Sequence, residues 1–246
     1  MGVVLLFLGV IAAVAAWWLW RHGLADKPWL EVGVAGDLPG AGAPLHPAPL
    51  HPAAKATAAK VGLGVFLAVA GSLFALFISA YSMRMQFADW RPLPDMGLLW
   101  VNTGVLILAS AALQGAQVSA QRERIDGVRA GLAVGGVSTL AFVFGQLVVW
   151  QQLAAAGFLA PANPANAFFY LVTAAHGLHV LGGLAALGRV FARVWPEPDG
   201  DPDRVRLGVE LCALYWHFLL LVWVVLFGML AMTALPDWLY AICFGT

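Results

Sequence analysis

Within otherwise apolar stretches, four side chains could do acid–base or ligand chemistry: His176, His179, Glu210 and His217. Two of them punctuate the run Glu210-Leu-Cys-Ala-Leu-Tyr-Trp-His217-Phe-Leu-Leu-Leu-Val-Trp223. Seven residues are about two helical turns, so Glu210 and His217 share a helix face. The other two lie in Phe168-Phe-Tyr-Leu-Val-Thr-Ala-Ala-His176-Gly-Leu-His179-Val-Leu-Gly182-Gly183, at i and i+3, again on one face. A carboxylate or an imidazole is expensive in a bilayer, so each marks a functional or a strongly structural position. The plainer alternative is a helix-end Glu reaching for water and a His satisfied by a backbone carbonyl.

Together the two stretches resemble the signature of subunit III of the haem-copper cytochrome c oxidase family. The likeness is carried by His176-Gly177-Leu178-His179-Val180, then by Glu210, Tyr215-Trp216-His217-Phe218 and Trp223. Both motifs occur in order, each on an apolar helix.

Composition sets the class independently. The 246 residues are 61% hydrophobic and 11% charged. Soluble domains carry about 45–50% apolar and 25% charged residues, so a polytopic membrane protein is expected. The net charge of zero gives no hint of a nucleic-acid partner. The two cysteines, Cys212 and Cys243, form no CxxC pair, which argues against a disulfide framework.

Runs of about 20 apolar residues predict six spans, at 3–20, 61–83, 98–118, 130–153, 167–188 and 207–232. The expected fold class is therefore all-α, a six-helix membrane bundle with one helix preceding a five-helix core at 61–232. The first span lacks a basic start and ends in Trp17-Trp18-Leu19-Trp20, which reads as a retained helix rather than a signal peptide. Residues 21–60 read as a linker, with 36–52 rich in Gly, Ala and Pro, and residues 233–246 as a short tail. His46 and His51 lie in that linker without carboxylate or thiolate partners, which is a poor metal set. The acidic loop at 195–206, with Glu197, Asp199, Asp201 and Asp203, reads as a solvated turn and lacks the calcium-loop spacing.

Eleven of the thirteen Lys and Arg residues fall in the first, third and fifth loops. The positive-inside rule makes those loops cytoplasmic and puts both termini on the outer face, as an even span count requires.

The fifth and sixth spans then form an antiparallel hairpin, with His179 and His217 each about 15 Å from the cytoplasmic edge. Gly182 and Gly183 would allow close approach there. Glu210 would lie about 4–5 Å inside its helix, one turn from Arg206 and across the hairpin from Arg189. Four readings of the cluster compete. Haem ligation needs paired His on facing helices, and only three intramembrane His exist. A shared metal is excluded for Glu210, about 10 Å along the axis from His217. A proton relay should continue across the membrane, and no deep acid appears in the other spans. A structural and lipid-binding cluster, with the His bonded across the hairpin, needs least and is favoured.

The resemblance implies the same choice. In the family this subunit carries no haem or copper, and the counterparts of these polar residues line a lipid-filled cleft. It implies a lipid-binding and structural cluster of His176, His179, Glu210, His217, Arg189, Arg206, Tyr215, Trp216 and Trp223. It further implies a non-catalytic subunit of a complex that reduces O2 and moves protons, beside oxidase subunits I and II, with haem and copper held by those partners. A multi-pass place in the bacterial inner membrane follows, with phospholipid bound. The likeness covers about residues 60–232, including Leu99-Trp-Val-Asn102-Thr103 and Ser110. Three departures stand out. Ala70 replaces the family's buried Glu, Leu220 replaces a common Asp, and one helix precedes the core instead of two. The loss of the Glu keeps an accessory subunit of a nitric oxide reductase or quinol oxidase in view. A small secondary transporter is the alternative of another class, although neither inverted repeats nor broken helices are visible.

Overall fold

A computed structural model of the chain describes residues 52–94, 97–195 and 202–232, with the isolated helical positions Gly9, Ala13 and Trp17. Those three positions apart, the predicted span at 3–20 lies outside the described residues. So do the linker up to residue 51, the acidic turn at 197–201 and the tail at 233–246.

The described chain is helical throughout. It forms α1 (Pro52–Arg84), α2 (Gly97–Gln121), α3 (Ile125–Ala155), α4 (Pro164–Val194) and α5 (Pro202–Met232), with one 3₁₀ turn at Ala160–Ala162. There is no strand among the described residues. All five helices are long and apolar enough to cross a membrane. The chain divides into two compact units, Met1–Ala70 and Gly71–Thr246, and the division falls within α1.

Every helix is longer than its apolar run. The largest correction is at α1, which begins at Pro52, inside the stretch read as linker. Pro suits a first helical turn, and the Ala-Ala-Lys-Ala-Thr-Ala-Ala-Lys that follows is rich in the best helix former. Likewise α5 starts at Pro202, so Asp203, Arg204 and Arg206 are helical and not part of the preceding turn. A 31-residue helix is about 46 Å long against about 30 Å of hydrocarbon, so the ends of α3, α4 and α5 extend beyond it.

The helix ends show why the chain turns where it does. At the end of α2, Arg124 N donates to Ser119 O (3.0 Å) and Glu123 N to Ala120 O (3.3 Å), with Glu123 at φ 56°. The end of α3 repeats this pattern, with Phe158 N on Leu153 O (2.9 Å) and Gly157 at φ 85°. Both are Schellman stops, in which a left-handed residue lets two amides satisfy the last carbonyls. Asn163 then caps α4, accepting from Ala165 N at 3.2 Å ahead of Pro164.

Two contacts tie loops together at opposite ends. Asn163 Nδ2 donates to Arg91 O (2.6 Å), joining the α1–α2 and α3–α4 connections. Arg129 Nε donates to Val194 O (3.1 Å), placing a guanidinium on the carbonyl end of α4, beside the α2–α3 turn. Beyond α1, Arg84 and Asp89 form a two-point ion pair, with Nη1 at 2.7 Å from Oδ1. The hydrogen-bonded guanidinium holds the exposed Asp89 carboxyl below the ordinary carboxylate range.

In the second unit, α2 packs on α3 and α5, and α4 packs on the same two, closing a four-helix ring. The later part of α1 packs on α4 through Phe74, whose ring centroid is 5.3 Å from that of His179. Tyr81 likewise meets Phe168 at 5.8 Å. Small residues set the closest approaches. A Cβ on Gly131 of α3 would fall 2.7 Å from Ala112 O and from Ala116 Cβ on α2. Lipid tails are as apolar as side chains, so such backbone packing, rather than hydrophobic burial, holds helices together.

Candidate functional site

Several signature residues join polar contacts inside the ring, and three tryptophans organise them. An indole N–H can only donate, and each finds a threonine hydroxyl on another helix, Trp216 reaching the helix diagonally opposite in the ring. Trp216 Nε1 donates to Thr139 Oγ1 of α3 at 2.9 Å. Trp223 Nε1 donates to Thr103 Oγ1 of α2 at 3.0 Å. Trp150 Nε1 of α3 donates to Thr173 Oγ1 of α4 at 3.1 Å. Each threonine sends its own proton one turn back along its helix. Thr103 bonds Leu99 O (2.8 Å), Thr139 bonds Gly135 O (2.7 Å) and Thr173 bonds Phe169 O (2.7 Å). Every one of these hydroxyls is thus both donor and acceptor, and no buried indole among the described residues is left unpaired. Trp216 and Trp223 are almost wholly buried.

Across the α4–α5 hairpin, Tyr215 donates its hydroxyl to His179 O at 2.9 Å. The rings of Tyr215 and Trp216 fill the space above Gly183, where an added Cβ would meet Tyr215 Cε1 at 2.6 Å and Trp216 Cη2 at 3.0 Å. Of the glycine pair expected to permit this approach, Gly183 does so. Gly182 is exposed, and a Cβ added there would meet nothing within 4 Å.

His176 and His217 do not bond across the α4–α5 hairpin, contrary to the expectation that the histidines are bonded across that helix pair. His179 points one ring nitrogen along its own helix, with Nδ1 at 2.8 Å from Ala175 O. His217 turns away from α4 to α2, with Nδ1 at 2.5 Å from Ser110 Oγ and Nε2 at 2.8 Å from Gln114 Oε1. His176 faces inward and is completely buried. Its ring lies 5.1 Å from Trp223, 5.8 Å from Phe142 and 6.3 Å from Phe74, centroid to centroid. Neither of its nitrogens has a hydrogen-bond partner among the described residues. The physical reason is angular. Along one helix, each residue turns about 100° from the last, so His176 and His179 differ by about 60°. That is enough to send them to different surroundings.

The family model for cytochrome c oxidase subunit III matches residues 51–233, most of the chain and all five helices. The chain belongs to the cytochrome c oxidase subunit III family. It is similar to the probable cytochrome c oxidase subunit 3 of Mycobacterium leprae, with 33% identity over 68% of this chain and 84% of the relative. It is also similar to the cytochrome c oxidase subunit 3 of Thermostichus vulcanus, at 27% over 69% and 85%. A third relative is the cytochrome bo(3) ubiquinol oxidase subunit 3 of Pseudomonas aeruginosa, at 25% over 68% and 80%. Family membership makes the chain a multi-pass accessory subunit of a haem-copper oxidase and sets the transporter reading aside.

The remaining site residues fall as follows. Arg189 and Arg206 are exposed, and Arg189 Nη1 donates to Ala185 O at 3.2 Å. Glu210 is half-buried and engaged. It stands about 12 Å along α5 from the helix start, not the expected 4–5 Å, because the helix begins earlier than its apolar run. Among the described residues, no three His, Cys, Asp or Glu side chains come together in a group that could hold a metal.

Sequence reasoning missed Thr103, Thr139, Thr173, Trp150, Ser110 and Gln114 as partners in these contacts. One signal was present for the last two: Ser110 and Gln114 stand four apart, hence on one face, in an otherwise apolar helix. Thr103 and Thr173 fell inside stretches that carry the family likeness and Thr139 did not, but none stood out as a bonding partner, since a mid-helix Thr can satisfy itself on its own backbone.

Proposed function

We propose that this chain acts as a cofactor-free structural subunit of its oxidase, supporting the catalytic subunit I beside subunit II. The complex would reduce O2 to water with haem and copper held by those partners, in the bacterial inner membrane. This chain would hold the helices and bound phospholipid in place, with both termini on the outer face. One observation carries the reading: four polar side chains of the signature are bonded between helices. Tyr215, Trp216, His217 and Trp223 each bond a group on another helix, and none is directed at a shared centre. Two linked ends fit loops that alternate between the two sides of the membrane, while the outward termini rest on the Lys and Arg distribution. Arg129 joins the third loop to the end of α4, and Asn163 joins the second loop to the fourth, as alternating sides require.

Lipid would be held by Arg189 and Arg206. With α4 and α5 centred in the bilayer, both lie about 15 Å from the midplane, at head-group depth. A guanidinium there can grip phosphate by two parallel hydrogen bonds. Glu210, one turn inside Arg206, would order these side chains.

A second reading, the accessory subunit of a quinol oxidase, is favoured by the ubiquinol oxidase relative. The test is affinity purification of the tagged chain from native membranes in mild detergent. Haem-bearing oxidase subunits should co-purify in fixed ratio, while the chain stripped from them should be colourless. Stoichiometric haem on the isolated chain would contradict the proposal, and oxidation of quinol but not cytochrome c would select the second reading.

A further inference from the structure

Ser110, His217 and Gln114 form a hydrogen-bonded chain that runs from the bundle interior outward. Ser110 is buried, whereas His217 and Gln114 are exposed. Its donors and acceptors match in one direction. The Ser110 hydroxyl donates to His217 Nδ1, and His217 Nε2–H donates to Gln114 Oε1. What remains is the Gln114 amide nitrogen, with two N–H donors and no partner among the described residues. It sits at the surface of the bundle. His217 lies at the centre of α5, and Gln114 lies about 7 Å from the centre of α2.

At that depth the hydrocarbon offers no acceptor, and an unsatisfied polar group there is costly. The surface around Gln114 is shaped for another helix. Trp100, Gly104, Ile107, Ala111 and Gln114 follow one another at intervals of four and three along α2, and all are exposed. A Cβ on Gly104 would meet nothing within 4 Å, so a backbone can come close. Trp100 is braced on this side by Phe227 of α5, with the rings edge to face at 4.7 Å.

We propose that this α2–α5 face docks a membrane-spanning helix of another oxidase subunit, which offers a hydrogen-bond acceptor to the Gln114 amide. The inference rests on the reading of the chain as part of an oxidase complex, and it names the surface involved. Lipid tails carry no acceptor. The chain's own apolar stretch at 3–20 has no side-chain acceptor either. In a regular helix its backbone carbonyls are already taken. A partner helix with an Asp, Glu, Asn, Ser or Thr side chain, or with a carbonyl freed at a break, fits.

The test is photo-crosslinking of the full complex in native membranes. A benzophenone amino acid replaces Ala111 on this face, or Leu178 on α4 as a control. Light should join the Ala111 site to a different oxidase subunit and the Leu178 site to no oxidase subunit. Gln114→Leu should lower the Ala111 crosslink by about threefold, normalised to the chain present in the membrane. Gln114→Asn, which keeps a donor, should retain more of it. Crosslinks to lipid only, to residues 3–20 or to a second copy of this chain would overturn the proposal, as would a yield indifferent to Gln114→Leu. Co-purification of oxidase subunits with the unaltered chain separates failure of this face from failure of the functional reading.

Discussion

His176 and His217 belong to the same signature and both lie in the middle third of their helices, yet their surroundings are opposite. His176 is fully enclosed by Phe74, Phe142 and Trp223 and has no hydrogen bond among the described residues. His217 stands at the surface of the bundle and uses both nitrogens, on Ser110 and Gln114. Burial alone therefore does not decide which polar group is satisfied in a membrane protein. Inside the ring, aromatic packing and the Trp–Thr bonds give order. At the α2–α5 surface, the polar chain leads outward toward a neighbour.

The largest expected effect tests the interior side. Trp216→Ala removes a fully buried indole and its bond to Thr139. It should cost about 3 kcal/mol, the low end for buried aromatic truncations, because the transfer part of the loss shrinks in lipid while the packing part remains. Thermal unfolding of the complex in detergent reads this. Leu178→Ala, at a position 70% exposed, should leave the midpoint unchanged.

The next prediction sets the two histidines against each other. His217→Leu breaks two hydrogen bonds and should destabilise by about 1 kcal/mol, in the range measured for bonds between membrane helices. His176→Leu replaces an imidazole without a hydrogen bond by an apolar side chain in an aromatic cage. It should leave the protein at least as stable as the parent, because a buried polar group without a partner costs free energy. The same unfolding assay reads both. The reverse order would mean that His176 is hydrogen-bonded in the membrane.

Much of this was legible beforehand, and for identifiable reasons. Apolar length revealed the five spans of the core, and the spaced His, Glu, Tyr and Trp revealed the family. Gly183 could be read as a close-approach point because only small residues allow one there. The helix ends could not be read from hydropathy. Pro52–Lys60 and Pro202–Arg206 are polar or Ala-rich, and each helix opens on a proline, which suits a first helical turn. The partner of His217 also escaped. Chain order suggested the neighbouring hairpin helix α4, whereas ring closure brings α2 against α5 from more than a hundred residues away.

The smallest expected effect lies outside the bundle. Arg84 holds the Asp89 carboxyl below its ordinary range, so the pair's contribution is present above the unfolded carboxylate pKa. It is lost only as pH falls through the lowered folded value. Because Asp89 is solvent-exposed, acid should barely move the unfolding midpoint through this group. Carbon-13 NMR of the Asp89 carboxyl should show titration below the usual Asp range, and Arg84→Gln should return it upward.

The central claim is that the signature residues hold structure and do no chemistry. The most direct measurement is O2 uptake per haem by intact complexes carrying His176→Leu or His217→Leu, followed from the first turnovers to inactivation. Initial rates should stay within about twofold of the parent, well under the losses that follow removal of a group acting in the transition state. The working life of the His217→Leu complex should shorten. An initial rate lowered by an order of magnitude or more, with subunit and haem content intact, would place that histidine in the reaction path and contradict the account.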